Sequence, residues 1–243
     1  VWFTDQTRTR LSASFTTSEL GILLRYQPAS VYVVDGVRRF PVNFNKYPVF
    51  RFEYFSGYED ILGGDYSYDR LSAGISHNFN AGGLGTFDYD VTFTKVIGQL
   101  PFPLLITLPG NESVFRTSRT YNLMNYGEFI LDEALELYGS WHMNGLIMNR
   151  IPLLKKLQWR TVLSGRAAYG SFDDKSNGFF DPVYNPAGIL YLLPGSDPGS
   201  VFHNLSYSEP YIELSYGIEN IFRILRVDLV HRLTWLDNPE ARR

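Results

Sequence analysis

The sequence predicts an all-β protein, and more narrowly an antiparallel transmembrane β-barrel. Three observations carry that expectation. Apolar and polar residues alternate with period two in run after run, several runs alternate for ten residues or more, and many apolar sets end in aromatics. Strands of a soluble sandwich are usually about 5–6 residues long, whereas a tilted strand needs about 9–11 to cross a bilayer. The 17 Tyr, 18 Phe and 4 Trp favour half-buried pleated surfaces, and 21 Gly with 13 Pro supply turns.

In chain order, the first candidate strands are RLSASFT (10–16) and ELGILLRY (19–26). A connection over 27–47 contains VYVVDGVRRFPV, a small hairpin with Asp35-Gly36 at its tip. PVFRFEYF (48–55) follows. In SYDRLSAGISHNFN, Leu71, Ala73, Ile75 and Phe79 alternate with Ser72, Gly74, Ser76 and Asn78. In GTFDYDVTFTK the apolar set is Phe87, Tyr89, Val91 and Phe93, against Asp88, Asp90, Thr92 and Thr94. The turn sequence NAGG joins these two as a hairpin. YNLMNYGEF (121–129) has weak parity. ALELYGSW (134–141), LQWRTVLSGRAAY (157–169), YIELSYGI (211–218) and RVDLVHRLTW (226–235) bring the visible strands to about ten, which leaves room for a larger barrel. His77 and His231 are exceptions on otherwise apolar faces.

The polar faces suit a wet lumen. Asp88, Asp90, Glu136, His142, Asp228 and Arg232 are the candidate lumen-lining residues, while aromatics such as Phe87, Trp141 and Trp235 match interfacial girdles. A net charge of −3 gives no electrostatic case for nucleic acid, and the absence of cysteine excludes disulfides and thiolate metal sites. The start VWFTDQTRTR lacks the pattern of a secretion signal, and VIGQLPFPLLITLPGN (96–111) is too short and proline-rich for a membrane helix. With its polar end LDNPEARR, the chain reads as a barrel domain over 1–243 within a longer protein.

Ten strands in antiparallel order would put the links near 17–18, 57–68, 95–119, 144–156 and 220–225 on one side. The links 27–47, 80–84, 130–134 and 171–208 would lie on the other. The first side would then collect three apolar-basic corners, QLPFPLLITLPGN, NRIPLLKKLQWR and ENIFRILRVD, as periplasmic turns. The second would carry 171–208 as a long extracellular loop. In NGLIMNRIPLLKKLQWR (144–160), Pro152 fits the first turn of a short helical corner, after which Leu157, Trp159 and Leu163 would begin a lipid-facing strand. Arg150, Lys155, Lys156, Arg160, Arg223 and Arg226 are candidate contacts for lipid phosphates or a periplasmic partner.

Signals for catalysis are weak. His77, His142, His203 and His231 show no metal-ligand spacing, AGGLG (81–85) lacks the strand–helix context of a nucleotide loop, and DDKSNG (173–178) lacks a calcium-loop pattern. No catalytic, cofactor or metal residue is assigned. A barrel hydrolase using His142 with Glu136 is the remaining enzymatic alternative.

Four segments in order, PFPLLITLPGNES (101–113), NLMNYGEF (122–129), NGLIMNRIPLLKKLQWR (144–160) and GIENIFRILRVD (217–228), resemble a large Bacteroidetes group of outer-membrane proteins. The resemblance covers the chain from about Pro48 onward. It implies a β-barrel preceded by a carboxypeptidase-regulatory-like domain, distantly similar to BamA-type surface-antigen barrels, and it brings no catalytic residues. The expectation is a non-enzymatic outer-membrane protein, an accessory or assembly and export component of the cell envelope. Its partners would be outer-membrane lipid and other envelope proteins, with no cofactor. A pore or uptake component for a small solute is the alternative.

Overall fold

A computed structural model describes residues 3–4, 11–12, 15–29, 31–41, 46–98, 100, 102–113, 115, 119–172, 205–238 and 241–242. The first elements are a small pair, β1 (Phe3–Thr4) with β2 (Leu11–Ser12), then β3 (Glu19–Tyr26), then the hairpin β4 (Tyr32–Asp35) with β5 (Arg38–Pro41). β6 (Val49–Gly57), β7 (Tyr68–Asn80) and β8 (Thr86–Ile97) follow as long strands. A second small pair, β9 (Ile106–Thr107) with β10 (Ile130–Leu131), precedes β11 (Glu133–His142). A six-residue helix, α1 (Pro152–Leu157), leads into β12 (Arg160–Ser171), β13 (Tyr211–Ile221) and β14 (Leu225–Arg232).

Eight of these strands form one antiparallel sheet in the order β14-β13-β12-β11-β8-β7-β6-β3. The all-β class stands. The sheet is open, because β3 and β14 are its two edges and do not pair with each other. The expected NAGG hairpin forms and runs two residues further, to Ile97. In the β4–β5 hairpin Asp35 pairs with Arg38, so the tip is Gly36-Val37.

Register turns the alternation into two chemically opposite faces. Asp90 pairs with Tyr138, Tyr138 with Arg166 and Arg166 with Glu213, so one polar row crosses four strands. One residue along, Val91 pairs with Leu137, Leu137 with Ala167 and Ala167 with Ile212. The apolar face stays uncovered from edge to edge: Leu24 is 59% exposed on β3 and Leu229 is 56% exposed on β14. Near the β7–β8 turn it ends in a ladder of stacked rings, Phe79 on Phe87 and Phe87 on Trp141, with centroids 5.5 and 5.3 Å apart. The two exceptional histidines join such stacks, His77 on Phe79 and His231 on Tyr216.

The other face is filled. The described residues between β8 and β11 fold back over it instead of forming an exposed turn. Leu108, Tyr121, Met124 and Phe129 are buried there against Ala134, Ala168 and Tyr211. A second cluster seats Leu100, Leu105 and Ile130 against Tyr68 and Val96. One segment thus contacts strands from β7 to β13, and their shared face is the inner one.

This insertion corrects the sequence reading. YNLMNYGEF (121–129) is not a strand, and the described strand within RLSASFT (10–16), Leu11–Ser12, pairs with β1 outside the main sheet, so that sheet has eight strands among the described residues, not ten. Losing one strand reverses the side assignment of every earlier link relative to every later one. The links 81–85, 143–159 and 222–224 lie at one rim, with the β3–β6 connection. The strand ends joined through 58–67, 98–132 and 172–210 lie at the other. The three corners therefore do not gather: QLPFPLLITLPGN, which carries no basic residue, belongs to the rim where β12 ends and β13 begins, opposite the other two. α1 starts with Pro152 at its first turn, as expected, and ends at Gln158 in the left-handed region. β12 begins only at Arg160, so Leu157 is helical rather than the start of a strand. Most of the 171–208 loop, including DDKSNG, lies outside the described residues.

Candidate functional site

The inner face and its inserted segment form the candidate site. Two buried carboxylates fasten the segment to the wall. Glu213, 1% exposed on β13, accepts hydrogen bonds from the backbone N–H of Asn122 at 2.9 Å and Leu123 at 2.6 Å, and from the Tyr211 hydroxyl at 2.6 Å. Glu128, on the segment, is held by Arg232 of β14 through two bonds at 2.6 and 3.1 Å, and by Asn238 at 2.8 Å. The same guanidinium donates to the carbonyl of Trp235 and lies over the Tyr211 ring. Beyond β14 the chain returns to this segment, where Arg242 donates to the Asn111 carbonyl at 2.9 Å. Every charge here is met by fixed partners, which is the condition for burying it.

Beside this seal the segment leaves a cavity of about 350 Å³ against β6, β7, β8, β11 and β12. Three guanidiniums, from Arg51, Arg119 and Arg166, face three carboxylates, from Glu53, Asp90 and Glu136. The charges are interleaved: Arg51 donates to Asp90 at 2.7 Å and to the Thr92 hydroxyl at 3.2 Å, while Arg119 approaches the other Asp90 oxygen at 3.6 Å. Arg51 reaches across the sheet because Gly74 lies between them; a Cβ there would sit 3.0 Å from its guanidinium. Arg166, 5% exposed, lies over the Tyr138 ring at 5.2 Å. Tyr121, from the inserted segment, donates to the Ala167 carbonyl and to Glu136. Burial, then the Glu136 charge, pushes its phenol well above the ordinary range, so it remains a donor.

The expected lumen residues all carry inner-face parity, and the structure separates them into four groups. Asp90 and Glu136 line the cavity, and Asp88 sits two residues further along β8, opposite Ser140. Arg232 belongs to the seal. Asp228 takes two bonds from Arg226, at 2.7 and 2.8 Å. His142 does not pair with Glu136; its Nδ1 lies 3.0 Å from Glu219 of β13, two strands away. Among the described residues no group of His, Cys, Asp and Glu side chains is arranged to hold a metal.

The basic corner residues divide as well. Arg150, Lys155, Lys156 and Arg223 are exposed on rim turns, beside the exposed Ile147, Ile151, Phe222 and Ile224. Arg226 instead turns to the inner face with Asp228, and Arg160 has inner-face parity opposite Glu219. Arg51, Glu53, Arg119, Tyr121, Arg166 and Glu213 were not singled out from the sequence. Arg51, Arg166 and Glu213 obey the same alternation, which is the signal that could have found them. Arg119 and Tyr121 lie in the segment misread as turn and strand.

Residues 5–173 match the model for the C-terminal domain of a family of unknown function, DUF5686. The chain belongs to that family. The matched span runs through β12, and β13 and β14 extend the same sheet beyond it. No curated protein and no solved structure matches the chain.

Proposed function

We propose that this DUF5686 domain is the wall of a bacterial outer-membrane β-barrel. In this reading it serves without catalysis as an accessory or assembly and export component of the envelope. The observation that carries it is the apolar face: apolar side chains on all eight strands, exposed on the edge strands β3 and β14, ending in stacked aromatic rings near the β7–β8 turn. Such a surface is far larger than the apolar patches a soluble monomer leaves open, and lipid would cover it. An eight-stranded barrel has an interior just wide enough for side chains. The inserted segment needs more room, so the reading takes the sheet as part of a larger barrel. The longer links would face outward, and Arg150, Lys155, Lys156 and Arg223 would meet lipid phosphates or a periplasmic partner at the opposite rim.

Two measurements test this. The chain should require detergent and migrate differently on gels before and after boiling; a protein soluble without detergent would overturn the membrane assignment. A native detergent pull-down should recover other envelope proteins, and neutralising Arg150, Lys155 and Lys156 together should lose them. A pore or uptake role is the second reading, favoured by the charged cavity behind the segment. It requires conductance in planar bilayers that changes when Asp88 and Asp90 are replaced by Asn.

A further inference from the structure

We propose that the cavity between the inserted segment and the β6–β12 wall binds a neutral polyhydroxylated solute, a sugar of about disaccharide size. The reasoning starts from charge. Three guanidiniums and three carboxylates line the cavity, so a net anion meets Glu53, Asp90 and Glu136 while a net cation meets Arg51, Arg119 and Arg166. A zwitterion would need separated positive and negative ends. Asp90 stands between Arg51 at 2.7 Å and Arg119 at 3.6 Å, so the signs are mixed within a few ångströms. Sugar hydroxyls suit that mixture, because each donates to a carboxylate and accepts from a guanidinium at the same time.

The remaining lining agrees. Tyr121 and Tyr138 contribute aromatic surface, and Ser72 and Thr92 add hydroxyls. The volume, about 350 Å³, lies in the range of small-molecule sites. One wall belongs to the sheet and the other, with Pro109, Arg119 and Tyr121, to the inserted segment, so a bound sugar would bridge the two. The site does not depend on the membrane reading.

The test is calorimetric titration of the full chain, folded in an amine-oxide detergent that carries no sugar headgroup. Maltose and cellobiose are the probes, with glutamate and choline chloride as the charged comparison. Saturable binding of at least one disaccharide is expected, weaker by about tenfold or more in Glu136→Gln, which keeps the shape and removes the charge. Ser72→Trp, which fills the cavity from the wall, should abolish binding while migration before and after boiling is retained. No saturable disaccharide binding overturns the proposal, as does binding unchanged in both variants, or tighter binding of glutamate or choline. Migration on gels reports the barrel separately, so either reading can fail alone.

Discussion

Glu213 shows how single side chains decide whether the inserted segment stays in place. Its carboxylate is the acceptor for two backbone N–H groups at a bend that makes no sheet ladder. Replacing Glu213 by Ala leaves the buried Asn122 N–H and the half-buried Leu123 N–H without it and is expected to cost about 3 kcal/mol, read as a lower urea midpoint for unfolding from micelles. Arg232→Met should cost about 3–5 kcal/mol, because Glu128 would be left buried and charged. The double variant Arg232→Met with Glu128→Gln should recover at least half of that loss in the same assay. Equal losses in the single and double variants would mean that the pair does not hold the segment. Neither pairing can be read from sequence. Period two states which face Glu213 occupies, but Asn122 lies 91 residues away, and only folding brings them together.

Among the elements, the long hairpins are the most legible. β7 and β8 follow the alternation residue by residue, and their turn is fixed by Gly85 at φ 101°. A Cβ at that position would stand 2.0 Å from the His142 carbonyl oxygen, so Gly85→Ala is expected to destabilise the β7–β8–β11 corner by about 1–3 kcal/mol, measured by urea unfolding. The faces make a sharper prediction. Val91→Arg, on the apolar face near the middle of β8, should cost about 2–4 kcal/mol for folding into lipid vesicles. Asn78→Arg, on the inner face near the rim, should change it by less than about 1 kcal/mol. Similar costs would show that the apolar face does not meet lipid. The segment 121–129 was misread for a local reason. Leu123, Tyr126 and Phe129 recur every third residue, which is not the period of a strand, and its backbone N–H groups at Leu123 and Asn125 donate to carboxylates.

For the molecule as a whole, the inserted segment matters more than any one strand. It packs over the inner face, leaves a charged cavity behind it and moves the corner QLPFPLLITLPGN to the rim where β12 ends and β13 begins. If the sheet belongs to a barrel, replacing residues 101–129 by a short Gly-Ser linker should raise conductance in planar bilayers above that of the intact chain. Matching traces would show that the segment does not block the path. By itself the sequence determined the class, the long strands, their two faces and the place of Pro152 in α1, because alternation and proline geometry are local properties of the chain. Only the tertiary structure decided which rim each link occupies, that 98–132 folds inward, and which charges meet. Those depend on strand count and on contacts between residues tens of positions apart, which no short-range pattern encodes.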